Sequence, residues 1–301
     1  MSFHNLLPKH DSAMHRIPYT QFARDLYKEI ANHNVFIGAA ALAYYLMLSI
    51  FPAAIFTLSL LPFLGIPRLD QAIMDLVRQA LPQESANLFT GIVSEVTSQR
   101  RGGILSFGLI FLVWSSSSCL NAFMQQLNIS YGVKEHRPFW KVRGTALLLV
   151  VVFFVLVVGG LGLIVFGGVI EDWVANHLGL TEGLPILFAV FHWVVILAFL
   201  LLGFAIIYYF GPDVEQKFKF ITAGSVTGVV LLVLASLGFR IYVAHFADYS
   251  RTYGSLGAAI VLQLWLYITG LILLVGSEVN VLVEQYSPGG KNMGQKREHR
   301  K

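Results

Sequence analysis

Four basic residues, Lys134, Arg137, Lys141 and Arg143, crowd into the segment KEHRPFWKVR at 134–143, together with Glu135 and His136. Guanidinium and ammonium groups at this density suit carboxylates, phosphates or anionic headgroups. The segment also reads as a basic anchor on one membrane face, with Glu135 and Arg137 close enough for a short-range ion pair and Gly132 permitting the turn before them. The stretch before it, VWSSSSCLNAFMQQLNISYG at 113–132, puts four consecutive serines in a chain that is 56% hydrophobic and 13% charged. Helical steps from Trp114 give Ser118, Asn121, Gln125 and Asn128 on one stripe. An unpaired amide in hydrocarbon costs several kcal/mol, so the stripe is expected to face other helices or a hydrated cavity.

Two further runs carry polar groups that could meet this stripe. LAYYLMLSIFP at 42–52 aligns Tyr45, Ser49 and Pro52, and the 263–280 region aligns Gln263, Tyr267, Gly270 and Ser277, with Glu278 and Asn280 near its end. Tyr45, Ser49, Pro52, Ser118, Asn121, Gln125, Asn128, Gln263, Tyr267 and Glu278 are therefore the candidate lining of a substrate path, with Arg137, Lys141 and Arg143 as candidate contacts to an anionic headgroup. Serine and asparagine also serve as glue between membrane helices, and GSVTG at 224–228 as a close-packing motif, so plain packing stands beside the path.

Hydrolytic chemistry finds less support. The nine histidines, His4, His10, His15, His33, His136, His177, His192, His245 and His299, are dispersed, and no HExxH, HxHxDH or paired acidic motif is present. Metal-dependent phosphodiester cleavage needs such a cluster. No metal site, cofactor, catalytic residue or nucleic-acid partner is expected, and the lack of GxxxxGK[ST] argues against ATP hydrolysis by this chain. Ionisable groups inside apolar runs are few: Glu278 and Glu284 near one end of the last, Arg240 near the opposite face, and His192 in the fourth. Each costs at least about 2.5 kcal/mol near a bilayer centre. The single cysteine, Cys119, permits no internal disulfide.

The elements that hold these residues are apolar runs near 36–64, 104–127, 144–170, 184–210, 220–246 and 254–284, each as long as the ~20 residues needed to cross a bilayer. Mean hydropathy is +0.67. The long unalternating runs exclude a transmembrane barrel. The expected fold is all-α, a polytopic helical bundle of six membrane spans with amphipathic interfacial helices. Residues 1–35 form an N-terminal segment whose PYTQFARDLYKEIANHN repeats Phe22, Leu26 and Ile30 at helical spacing. Residues 36–286 form the membrane domain, with an outer-face loop at 66–103 read as two amphipathic helices broken at Pro82. Residues 287–301 form a basic tail that reads as disordered. No internal repeat is visible.

Orientation follows from the basic residues. Lys9, Arg16, Arg24, Lys28, the 134–143 group, Lys217, Lys219 and the tail fall on one side, which the positive-inside bias makes cytoplasmic for both termini. Arg100 and Arg101 on the other side count against it.

LAYYLMLSIFP at 42–52, LNISYGVKEHRPFWKVRG at 127–144, YYFGPD at 208–213 and YGSLGAAIVLQLWLYITGLILLVGSEVNVLVE at 253–284 together resemble the YihY/BrkB family of bacterial inner-membrane proteins, formerly labelled ribonuclease BN. The resemblance runs through nearly all six spans in order. It implies a six-span helical protein of the bacterial cytoplasmic membrane but no secure activity, because family members have carried ribonuclease and serum-resistance or virulence labels and have been suspected of transport, including of envelope lipids. Taken with the residues, the expectation is a transporter or flippase-like protein for a lipid or other amphipathic anion, with membrane lipids as partners. The alternative is a non-transporting scaffold or envelope-assembly factor, and small-residue faces would allow a homo-oligomer or an envelope-protein partner.

Overall fold

A computed structural model of the chain describes residues 18–64, 102–178, 184–253, 255–287 and 295. The expected outer-face helices, the N-terminal residues 1–17 and most of the basic tail lie outside the described residues, as does the side chain of His192. Among the described residues the secondary structure is helical throughout: α1 Tyr19–Asn32, α2 Val35–Leu64, α3 Gly102–Ser130, α4 Phe139–Leu178, α5 Leu184–Phe210, α6 Ala223–Tyr253 and α7 Ser255–Tyr286. Helices satisfy every internal backbone group within one segment, which hydrocarbon demands.

Five of these helices, α3 to α7, are long and apolar enough to cross a membrane. The pair formed by α1 and Val35–Ile50 of α2 supplies a sixth if taken as one bent element, with a bend of 57°. The long apolar run of α2 continues through Pro52. The six apolar runs of the sequence therefore each become one helix, and α4, at 40 residues, extends past its run at both ends.

α1 begins after Pro18, whose carbonyl accepts from Gln21 N at 2.8 Å and Phe22 N at 3.1 Å. Pro18 itself lacks an N–H, so its place ahead of the helix wastes no donor. The helix has no fully buried residue. Its inward side is led by Ile30, which packs on the bundle core, while Tyr19 and Tyr27 are exposed. It ends at His33 and Asn34, and Asn34 turns the chain with φ 52°. Asparagine tolerates this left-handed region better than most residues.

The packing closes into a ring. Each of α2 to α7 touches its neighbour in that order, and α7 returns to pack on α2. Small residues set the close approaches: a Cβ on Gly270 of α7 would sit 3.2 Å from the Ala39 carbonyl of α2. The 224–228 GxxxG does the same for α6 and α7, since a Cβ on Gly224 would overlap the Gly276 carbonyl. The core joins Val35, Ala39 and Leu42 of α2, Phe123 and Leu127 of α3, Phe204, Ile207 and Tyr208 of α5, Val229 of α6 and Ile272 and Leu274 of α7. The outward faces are as apolar as the core: Val151, Phe154 and Val155 of α4, Trp193 and Val194 of α5, and Leu234, Leu237 and Ile241 of α6 are all exposed. So large a continuous apolar exterior belongs against lipid.

Candidate functional site

Polar chemistry collects at the end of the bundle where α1 meets α2, α3 closes and α7 finishes. Glu278 of α7 is 1% exposed, and its carboxylate oxygens both lie 3.0 Å from His33 Nδ1. Ser130 at the end of α3 donates its hydroxyl to Glu278 Oε1 at 2.6 Å. On the other side of the imidazole, His33 Nε2 lies 3.4 Å from Glu29 Oε2 of α1. Gln126 of α3 donates to the His33 carbonyl at 2.8 Å, reaching across Gly38, where a Cβ would lie only 2.7 Å from its side chain. Three helices and the α1–α2 turn thus hold one imidazole between two carboxylates.

Burial alone would lower the proton affinity of His33, but its bond to Glu278 and the charges of Glu278 and Glu29 outweigh burial and raise its pKa above the ordinary 6.5. Glu29 is also raised, by burial first, with the neighbouring carboxylates Glu278 and Asp25 adding to it against the lowering effects of His33 and Lys28. α1 is tied to α7 a second time where Tyr286 donates its hydroxyl to Asp25 Oδ2 at 2.5 Å.

A second cluster sits in the loops of the same end. Arg137 makes a two-pronged contact to Glu135, Nε to Oε1 at 2.8 Å and Nη2 to Oε2 at 2.7 Å, and also donates to the Phe210 and Gly211 carbonyls at the end of α5. Asn128 of α3 donates to Glu135 Oε2 at 2.9 Å and accepts from Asp213 N at 2.7 Å. Although burial acts to raise it, these bonds from Arg137 and Asn128 hold the Glu135 carboxyl below its ordinary range. The loops 131–138 and 211–222 are locked together in this way. Gln216 adds a cap on α5, donating to the Tyr208 carbonyl at 2.6 Å. Thr222 and Ser225 open α6 with reciprocal backbone and side-chain bonds.

The serine run resolves into two kinds of contact. Ser115, Ser116, Ser117 and Ser118 all donate to carbonyls of their own helix three or four residues back. Ser117 and Ser118 also accept from Arg143 Nη1, at 2.9 and 3.3 Å. Among the described residues no carboxylate lies within salt-bridge distance of Arg143, so its charge rests on these hydroxyls and over the Phe139 ring, whose centroid is 5.9 Å from the guanidinium carbon. Further along the stripe Asn121 is half-buried and Gln125 exposed, while Asn128 is buried in the loop cluster. On α2, Tyr45 and Ser49 are half-buried, with Ser49 donating to the Tyr45 carbonyl at 2.8 Å, and Pro52 is fully buried. Gln263 and Tyr267 of α7 are half-buried. Among the described residues no hydrogen bond joins Tyr45, Asn121, Gln125 and Gln263 to one another. Lys141 is exposed beside exposed Phe139 and Trp140.

Two cavities flank the 211–222 loop and share Tyr209 and Gln216. One, of about 500 Å³, is lined by Tyr131, Tyr208, Lys217, Lys219, Asn280 and Glu284 among others. The other, of about 540 Å³, is lined by Arg137, Thr145, Pro212 and Asp213. Burial and the charge of Glu284 raise the Tyr131 phenol above its usual range. Among the described residues there is no group of three or more His, Cys, Asp or Glu able to hold a metal ion.

Sequence reasoning named Glu278 but not its partner. His33 stood among the dispersed histidines, 245 residues away in the chain. The usable signal was the cost of a carboxylate late in an apolar span, which requires a partner from the same membrane face, and His33 closes an amphipathic segment on that face.

The chain is 33% identical over 264 residues to the putative ribonuclease-like protein YfkH of Bacillus subtilis (strain 168), covering 88% of this chain and 95% of the relative. It is 27% identical to a UPF0761 membrane protein of Vibrio atlanticus (strain LGP32), over 89% of this chain and 84% of that one. A UPF0761 membrane protein of Tolumonas auensis is 24% identical over 88% and 86% of the two chains. No solved structure is significantly similar to the chain. The sequence model of the virulence factor BrkB family matches residues 26–301. That match takes in every described helix from the second half of α1 onward, the loop cluster and the Glu278 joint, and by it the chain belongs to the BrkB family of membrane proteins.

Proposed function

We propose that the protein moves a lipid or other amphipathic anion across the bacterial inner membrane, with both termini in the cytoplasm. The observation that carries this reading is Arg143. A guanidinium one turn into α4 lies on the hydroxyls of Ser117 and Ser118 instead of on a carboxylate, so positive charge is held along a polar strip that continues through half-buried Asn121 to exposed Gln125. A headgroup phosphate would bind such a cation with charge-assisted hydrogen bonds while its acyl chains stay among the exposed apolar side chains of α3 and α4. Lys141, Lys217 and Lys219 add positive charge near the proposed cytoplasmic mouth, the latter two lining the cavity of about 500 Å³. Arg137 is mostly engaged by Glu135 and the end of α5, so in this reading it shapes the mouth more than it binds. Of the remaining pathway residues, half-buried Tyr45, Ser49, Gln263 and Tyr267 would line the bundle side of the route, whereas Pro52 and Glu278 are buried away from it.

A second reading, a membrane scaffold, draws on the serine hydroxyls that bond back to their own helix and on the backbone contact of Gly224 with Gly276, both of which serve packing. Purified protein reconstituted with fluorescent phospholipids separates the two. Leaflet exchange above protein-free vesicles, lost in Arg143→Gln and in Asn121→Leu with Gln125→Leu, is the expected result. Exchange no faster than in protein-free vesicles would favour the scaffold. The name of the Bacillus relative points to nuclease activity, and a hydrolysis assay on the same preparation, with and without added divalent metal, is expected to give no cleavage above buffer.

A further inference from the structure

We propose that Glu29, His33 and Glu278 form a proton-exchange site at the hinge between α1 and α2, where binding and release of one proton closes and opens α1 against the bundle. The site stands on its own geometry, and a coupling of its proton to transport would rest on the proposed function.

Glu278 is a buried carboxylate without a permanent counter-ion: among the described residues its polar partners are His33 and Ser130, and no Lys or Arg lies within salt-bridge distance. Among the described residues, the group placed to set a positive charge beside it is His33 carrying its second proton. The other side of the imidazole opens toward solvent, because Glu29, which faces Nε2 at 3.4 Å, is 26% exposed. A proton arriving from water or from the Glu29 carboxyl binds Nε2, and His33 becomes an imidazolium whose Nδ1–H points at Glu278. Return of the Nε2 proton to Glu29 or water leaves neutral His33 and a lone buried carboxylate, a state that low-dielectric surroundings strongly oppose. Hydrating Glu278 relieves it, and α1 is the element whose movement does this at least expense, since none of its residues is fully buried and it joins α2 through the Asn34 turn.

The neighbouring charges favour the loaded state. From α1 come Glu29, Asp25 and Lys28, with Asp25 engaged by the Tyr286 hydroxyl and 3.9 Å from Lys28. From α7 come Glu278 and, one to two turns on, Glu284 and Tyr286. α3 presents the neutral Gln126 and Ser130, followed by Tyr131. The site is thus net acidic, in keeping with the raised proton affinity of His33.

The test places spin labels at Tyr27→Cys on α1 and Trp140→Cys on α4 in a Cys119→Ser background, and follows their distance distribution in phospholipid nanodiscs from about pH 5 to about pH 9. One population at low pH giving way to a displaced, broader one at high pH is expected, with the transition abolished in Glu278→Gln. In Glu29→Gln, which removes a half-exposed carboxylate and spares the buried pair, the midpoint is expected to move to lower pH. A wild-type distribution that ignores pH, a wild-type transition in Glu278→Gln, or an unmoved midpoint in Glu29→Gln would each overturn the proposal. Glu29→Gln decides the matter if Glu278→Gln fails to assemble. No transported substrate enters the measurement, so a pH response without leaflet exchange would count against the transport reading and leave the proton site standing, and the reverse result would do the opposite.

Discussion

The Glu278 joint and the Arg137 clamp lie at the same end of the bundle, each built around a carboxylate, and they solve the same problem in opposite ways. Glu135 meets an arginine that is always charged, two residues away in the chain and at the protein surface. Glu278, itself shut off from water, meets a histidine that is charged only on condition and comes from the far end of the sequence. The first arrangement is permanent and fixes two loops; the second is conditional and fixes a helix only while it is protonated. A protein that needed nothing but rigidity would have gained more from a second arginine.

The largest expected effect comes from breaking the joint. His33→Ala leaves a buried carboxylate unpaired and should cost about 3–5 kcal/mol, read as loss of the folded protein in a detergent unfolding titration. Arg137→Ala strips the clamp of its centre but leaves Glu135 partly hydrated, and about 2 kcal/mol is expected in the same titration. Equal costs for the two would erase the distinction between them.

Acid and alkali should separate them further. The folded-state pKa of His33 is raised, so its contribution is complete below 6.5 and is lost as pH rises through the higher folded value. That of Glu135 is lowered, so its contribution is complete above 4.5 and is lost as pH falls through the lower folded value. Thermal stability of the wild type should therefore decline on both flanks. His33→Gln should flatten the alkaline flank alone, and Glu135→Gln the acid flank alone. The smallest effect is expected for Gly38→Ala, whose methyl displaces the Gln126 side chain from the His33 carbonyl for about 1 kcal/mol. Its mark should be a weakened joint with an intact clamp, visible as faster amide exchange in α1 and unchanged exchange in 131–138.

These two regions also differ in how far the sequence exposes them. The six apolar runs anticipate the helices closely, because a span is set by its own residues and the thickness of hydrocarbon. The Glu135–Arg137 pair is visible for the same local reason, and so is the polar stripe of α3. What the stripe does is less visible: whether Ser118 meets a neighbour as well as its own helix depends on where Arg143 lands, which depends on the loop between α3 and α4. For the Glu278–His33 pair the sequence shows only that a carboxylate late in an apolar span needs a partner, not which residue supplies it. Its partners come from separate ends of the chain, and only the ring closure of α7 on α2, set by small residues such as Ala39 and Gly270, brings them into contact.

That closure has a consequence for biogenesis. α2 is made before α7, so the part of α2 at Ala39 and Leu42 that packs on Gly270 lacks its α7 partner until that helix is made, even after Phe123 and Leu127 of α3 have joined the cluster. A ribosome that stops before Glu278 releases a chain whose hinge has nothing to fasten to. The joint is thereby a contact between an early helix turn and a late helix, one that the chain can make only once α7 has been made.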